Sequence, residues 1–265
     1  MNKHLAGRTA LLTGATGGIG HAIARALHRR GVQLVLTGRR VDVLEPLAQE
    51  LGARSLAVDL EQPEEVERLL AEVGHLDLLV ANAAVPASGP LLEYTDEQID
   101  RALNVNLRAP MILARHLTEP MIAQEWGHLV FVSSLAGKAA TPGSSIYSAT
   151  KFGLRGFGQG LRGDLQGTGV GVSVVFPGFI RDAGMFAESG VQLPGYVGTS
   201  TPEDVGNAVV VAIEHDRGEL DVAPLGIKLG VRFSTIAPAV ASRIQRRLGS
   251  DKIAADLGDG QADKR

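Results

Sequence analysis

Three short runs in this chain are apolar along almost their whole length: 76–81 (LDLLVA), 128–133 (HLVFVS) and 171–176 (GVSVVF). A strand with one wet face alternates apolar and polar residues. A continuous apolar run instead requires cover on both faces, which a parallel sheet between two helical layers supplies. The intervening segments have the periodicity to provide it. Residues 19–30 place Ile19, Ile23, Ala26 and Leu27 on one helical face. Residues 41–51, 63–73, 96–124, 145–166 and 201–214 read as further helices, the last with Thr201 as N-cap and Pro202 in its first turn. Residues 8–13, 33–37, 55–58 and 219–222 complete the set of strands. Strand–helix alternation of this kind predicts an α/β fold: a doubly wound, Rossmann-type parallel sheet of about seven strands with helices on both faces.

The 265 residues fit one domain, and no repeat or shift in composition divides them. A net charge of -3 gives no reason to expect a nucleic-acid partner. The chain has no cysteine, which excludes disulfides, thiolate metal sites and cysteine nucleophiles. His4, His21, His28, His75, His116, His128 and His215 show no metal-ligand spacing, so no metal is expected. Residues 1–7 lack a basic stretch followed by an apolar run, and no apolar run reaches the length of a membrane span. A cytoplasmic location is therefore expected. The polar tail from Asp251 is expected to fray.

Between the first strand and the first helix lies Thr13-Gly14-Ala15-Thr16-Gly17-Gly18-Ile19-Gly20. Gly14, Gly18 and Gly20 give a G-x-x-x-G-x-G spacing in which the backbone turns sharply and a pyrophosphate can approach. The helix that follows offers unpaired N–H groups and the positive end of its dipole. In NAD-binding folds an acidic residue ends the second strand and holds the ribose hydroxyls. Here Gly38 stands in that place, followed by Arg39 and Arg40. Loss of the acid removes repulsion against a 2′-phosphate, and Arg39 can pair with one, which favours NADP(H). The alternative is that both arginines are solvated loop charges.

Tyr147 and Lys151 lie four residues apart on a predicted helix and share a face. Free tyrosine titrates near 10, too high for an efficient base at neutral pH, and a neighbouring ammonium favours the phenolate. In an arbitrary protein such a pair is usually an amphipathic surface pair, so its weight comes from what accompanies it. Ser134 ends a buried strand and offers a hydroxyl to a substrate oxygen as charge develops on it. Ser133 is its rival, pointing to the opposite face.

Taken together, the Thr13–Gly20 turn, Asn82-Ala83-Ala84, Asn106, Ser134, Tyr147 and Lys151 in YSATK, and Pro177-Gly178 resemble the short-chain dehydrogenase/reductase family in order and spacing, from about Gly7 to Glu219. The resemblance implies a single dinucleotide-binding and catalytic domain over 1–265. It implies an NADP(H)-dependent oxidoreductase that moves a hydride to or from a carbonyl or alcohol carbon. Catalytic roles fall to Asn106 (a proton relay through water, with Asn104 as rival), Ser134, Tyr147 (general acid/base) and Lys151. The cofactor set is Gly14, Thr16, Gly18, Ile19, Gly20, Arg39, Asp59 (toward adenine), Leu60, Asn82, Tyr147, Lys151 (toward the nicotinamide ribose), Pro177 and Gly178. Asp59 also reads as part of a helix cap. The chain departs from the family pattern in three places: Ala81 and Ala84 flank Asn82 where the family has Asn and Gly, and Asp182 stands where it often has Thr. A catalytically silent NADP(H)-binding regulator of the same fold is the competing reading. The family implies a homodimer or homotetramer built on the helices at 96–124 and 145–166, with Gly153, Gly156, Gly158 and Gly160 allowing close approach.

Residues 179–200 form a long connection carrying Phe179, Ile180, Met185, Phe186, Val191, Leu193 and Tyr196. Long connections at such places serve as lids, and an apolar lid suits a small, apolar substrate; the alternative is that these side chains cover core surface. The variable segment 223–265 begins with an apolar, basic stretch to residue 248 and lacks the family's Gly-rich ending. Pocket wall, subunit contact and peripheral membrane contact are its three open readings, and Pro224 and Pro238 argue against one long helix.

Overall fold

The apolar runs do form the centre of the molecule. In the computed structural model, which describes residues 3–191, 193, 197–237, 239–241, 243 and 250–261, seven strands make one sheet. They are β1 (Thr9–Leu12), β2 (Gln33–Gly38), β3 (Arg54–Ala57), β4 (Leu78–Ala81), β5 (Gly127–Val132), β6 (Val170–Pro177) and β7 (Glu219–Val222). Every pairing is parallel and the order is β3-β2-β1-β4-β5-β6-β7. The order reverses between β1 and β4, and the crevice beyond the C-terminal ends of these strands is where a doubly wound sheet binds ligands.

Alternate residues of one strand serve opposite cores. Ala10, Leu12, Leu78, Val80, Val130 and Val132 face α1 (Gly18–His28), α2 (Val41–Leu51) and α8 (Pro202–Glu214), meeting Ile23, Leu27, Leu44 and Val209. Leu11, Leu79, Leu129 and Phe131 face the other layer, α3 (Pro63–Glu72), α5 (Ala109–Ala123) and α6 (Ser145–Asp164), meeting Leu69, Leu113 and Leu154. Each fully buried side chain of this kind contributes roughly 1.5–3 kcal/mol. Thr201 caps α8 in a reciprocal capping box with Asp204, as its sequence position predicts.

The single helix expected over 96–124 is instead three pieces. After α4 (Asp96–Leu103), residues Asn104–Arg108 form a π turn, and α5 follows. π turns persist where a side chain must be placed that a regular helix would misdirect, and this one buries Asn106 completely. The tail also differs from expectation. Ser250–Asp259 is helical, and the Gln261 amide donates to the Met185 carbonyl at 3.3 Å, so the segment is tied to the connection after β6 rather than frayed.

Candidate active site

The glycine-rich turn is built so that backbone, not side chain, faces the crevice. Gly14 has φ +66°, a left-handed conformation that glycine adopts without strain. A Cβ on Gly20 would lie 2.2 Å from the Gly14 carbonyl oxygen, and one on Gly38 would lie 2.6 Å from the Thr16 methyl. Gly38 therefore has a steric reason as well as an electrostatic one. Asn82 braces the turn, its amide donating to the Thr13 and Gly14 carbonyls at 3.1 Å each. Helix α1 begins at Gly18 with no side-chain cap and no acidic residue in its first turn, so its N–H groups and dipole remain available to an anion.

A cleft of about 420 Å³ runs along this turn, lined by Gly14, Thr16, Gly18, Ile19 and Gly20, then by Arg39, Arg40, Asp59, Leu60 and Asn82. The residues present thus suit a dinucleotide: a bare backbone cradle at a helix N-terminus and two cations beyond it. Arg39 Nη1 lies 3.8 Å from Asp59 Oδ2, with both side chains well exposed. Asp59 Oδ1 also accepts from the Glu61 N–H at 3.1 Å, so it takes part in the local turn that was its alternative reading. Arg40 bonds the Thr16 carbonyl and lines the cleft. It is the residue that sequence reasoning passed over, although it stood next to Arg39.

Ile19, Asn82, Ala84 and Met185 line both this cleft and a second cavity of about 430 Å³, so the two are continuous. Ser134, Tyr147, Lys151, Pro177 and Gly178 line the second cavity. Ser134 follows β5 as the cap of a short 3-10 turn, Leu135–Gly137, where its Oγ accepts from the Ala136 N–H at 3.2 Å, and its side chain hydrogen-bonds the Tyr147 phenol. Its rival Ser133 donates instead to the Lys151 carbonyl at 3.0 Å. Lys151 is buried; its Nζ donates to the Val132 carbonyl at 3.1 Å and sits 5.6 Å from the centre of the Tyr147 ring.

Burial governs ionisation here. It pushes the Tyr147 phenol up to about 12, with the Ser134 hydrogen bond pulling partly the other way. It brings the Lys151 ammonium down to about 8. The sequence predicts a phenol lowered by its lysine neighbour, and in the protein alone the shift has the opposite sign, because burial disfavours the phenolate and only the Ser134 hydrogen bond opposes it. The phenol is therefore protonated at neutral pH and able to donate.

Two further residues named from the sequence line neither cavity. The Asn106 side chain is not in the cavity. Its Oδ1 accepts from the Val85 N–H at 2.7 Å, and its amide donates to the Val85 carbonyl at 3.0 Å. It clamps the segment after β4, and its amide also reaches Thr150 Oγ1 at 3.5 Å, one turn along from Tyr147. Asp182, which stands where the family often has Thr, has φ +70° and pairs with Arg181 at 3.4 Å, and it lines neither cavity.

The connection over residues 179–200 is held at its base by a bridge between Ile180 and Ser200 and contains a short helix, Gly184–Glu188 (α7). Phe179, Ile180, Met185 and Phe186 wall the cavity, and Phe179 and Phe186 meet edge-to-face at 5.1 Å. From the variable C-terminal segment come Ile227 and Val231 of α9 (Leu225–Ile236) and, further on, Leu257 and Gln261. Both segments therefore share one largely apolar chamber over Tyr147. Tyr196 and Pro238 lie outside the described residues.

Known proteins with this arrangement are numerous. The family profile described as short chain dehydrogenase matches residues 8–193. The ketoacyl reductase HetN of a Nostoc species is 35% identical over 259 residues, covering 92% of this chain and 90% of that protein. A 3-oxoacyl-[acyl-carrier-protein] reductase FabG of Rickettsia typhi is 35% identical over 66% of this chain and 73% of its own length. Among solved structures, a short-chain dehydrogenase from Sphingobium yanoikuyae in complex with NADPH superposes with a TM-score of 0.76 at 28% identity, covering 90% of this chain and 95% of that one.

Proposed function

The chain belongs to the short-chain dehydrogenase family of oxidoreductases, and from that premise we propose that it reduces a carbonyl group on an apolar substrate with NADPH, the 3-oxoacyl class being the first to test. The observation that carries this reading is the meeting of Ser134, Tyr147 and Lys151 on one wall of an apolar chamber that continues into the glycine-lined cleft. When bound, the nicotinamide supplies the hydride. The protein's own groups handle the oxygen: the Ser134 hydroxyl holds it, and the protonated Tyr147 phenol donates to it as negative charge builds. Lys151, buried beside the ring, stabilises the phenolate left behind, and it would hold the ribose hydroxyls of a bound cofactor. Arg39 and Arg40, with Gly38 in place of an acid, support a preference for a 2′-phosphate. Asn106 acts by holding the segment after β4, and any relay through it would run from its backbone carbonyl. A silent cofactor-binding role is disfavoured by the intact Ser134–Tyr147–Lys151 set. NADPH consumption across a series of 3-oxoacyl thioesters and plain ketones is the direct test. Tyr147→Phe keeps the ring and removes the proton, so turnover is expected to fall by roughly 10²–10⁴ while NADPH binding persists. Near-normal turnover in that variant would remove the assignment.

We further propose a homodimer through α5 and α6. Gly156 and Gly160 face open space and leave room for a second copy, whereas Gly153 meets Leu107, and Gly158 meets Val174 and Phe131 of the core. Of the four glycines singled out in the sequence, Gly153 thus packs on the π turn and Gly158 on the sheet, and neither faces open space.

A further inference from the structure

One surface has no part in that chemistry. Residues 223–249 contain five Lys or Arg and no Asp or Glu, in a chain whose net charge is -3. Within this stretch α9 has two apolar faces. Ile227 and Val231 point into the chamber. On the opposite side Leu225, Leu229, Phe233 and Ile236, spaced by four, four and three residues, form one stripe. Their exposures are 71%, 55%, 44% and 84%. Lys228 and Arg232 lie along one edge of the stripe, and Arg243 is exposed beyond the helix. Among the described residues, none of these three cations has a carboxylate partner.

A stripe of Leu, Phe and Ile edged by unpaired cations and free of acids is the pattern of a helix that lies in the plane of an anionic lipid surface. The helix is 12 residues long, and among the described residues no helix is long and apolar enough to cross a membrane, so contact is limited to the interface. A second copy fits the face less well, since a two-fold contact sets each patch against itself and brings the cations of both copies together. We propose that α9, with Arg243 beyond it, docks this protein on anionic lipid, with Leu225, Leu229, Phe233 and Ile236 in the acyl boundary and Lys228, Arg232 and Arg243 against the headgroups. Docked in this way, the chamber is separated from the lipid by the thickness of one helix. The proposal is independent of the catalytic reading.

The test is co-sedimentation of the full chain with vesicles of phosphatidylcholine alone and of phosphatidylcholine mixed with phosphatidylglycerol. Binding is expected to the mixed vesicles only and to collapse in molar salt. Leu229→Glu with Phe233→Glu, and separately Arg232→Glu with Arg243→Glu, should each weaken partitioning at least about tenfold, with the melting curve unchanged. Should either pair fail to fold, Phe233→Trp offers a second reading: its added emission should shift to the blue with mixed vesicles, against the single native Trp126. Absence of binding to mixed vesicles, equal binding to both compositions, or binding untouched by these substitutions overturns the proposal. So does light scattering that shows the glutamate pair dissociating an oligomer while the parent ignores vesicles.

Discussion

Acid should unfold this protein through a residue remote from its chemistry. His128 lies at the start of β5 with no exposed surface. Its Nε2 shares a 2.8 Å hydrogen bond with Ser173 Oγ, and its Nδ1 has no partner among the described residues. Burial lowers its pKa from 6.5 to about 3; Lys3 and Arg162 add to that effect and Asp216 opposes it. The fold thus favours the neutral ring, and the unfolded chain takes up the proton first. The contribution to stability is intact above pH 6.5 and is lost progressively as pH falls toward 3. At about 1.4 kcal/mol per pH unit below the unfolded pKa, the loss between pH 8 and pH 5 comes to about 2 kcal/mol. Lys3, lowered to about 8 by the same burial, changes its contribution mainly above that pH and leaves this window nearly clear. Urea unfolding at both pH values, on the parent and on His128→Gln, isolates the effect. Glutamine reproduces the bond to Ser173 and does not titrate in this range. The parent should lose about 2 kcal/mol more than the variant on going to pH 5. Parallel losses in the two proteins would refute the reasoning, because the ring would then bear the same proton folded and unfolded.

Two further outcomes follow from the site and its surroundings. Arg39→Ala should narrow the preference for NADPH over NADH by roughly fivefold to a hundredfold, the range of one to a few kcal/mol for a charge-assisted contact; isothermal titration that finds the parent binding NADH as tightly as NADPH would count against the 2′-phosphate assignment. Gly160→Arg places a long cation where α6 faces open space. It should convert a dimer to a monomer in light scattering without lowering the melting temperature, and an unchanged mass would move the interface elsewhere.

The parts of this molecule that sequence made legible are those decided locally. Runs such as Leu78–Ala81 have no polar residue to leave outside, so their place at the centre follows from composition alone. Tyr147 and Lys151 share a face because a helix repeats, and the glycines of the turn declare themselves by spacing. What escaped was decided by partners far away in the chain. The π turn at Asn104–Arg108 leaves no mark on hydrophobic periodicity, and the Asn106 side chain it buries finds its partner in the backbone of Val85, two elements earlier. Asp182 stands where the family often has Thr, and nothing in its spacing announces the left-handed backbone and the pairing with Arg181 that keep it out of both cavities. The polar tail gave no hint of a helix because the carbonyl that holds Gln261 belongs to Met185, in the connection after β6. The direction of the Tyr147 shift was lost for a similar reason: charge is written in the sequence, and desolvation is not.

The π turn also constrains how this fold can be edited. It holds one residue more than a regular turn would, and each residue of an α-helix advances the face by about 100°. Deleting one residue from the turn would relax it to a regular helix and leave everything downstream in phase, because the extra residue is absorbed by a smaller advance per residue. Leu113, Leu117 and Met121 would keep their cover of the sheet, and the loss would fall on Asn106, whose amide now meets both backbone groups of Val85. A deletion within the regular helix α5 would instead turn every later residue off its face, so the turn is the one place along these helices where chain length can change without disturbing the core.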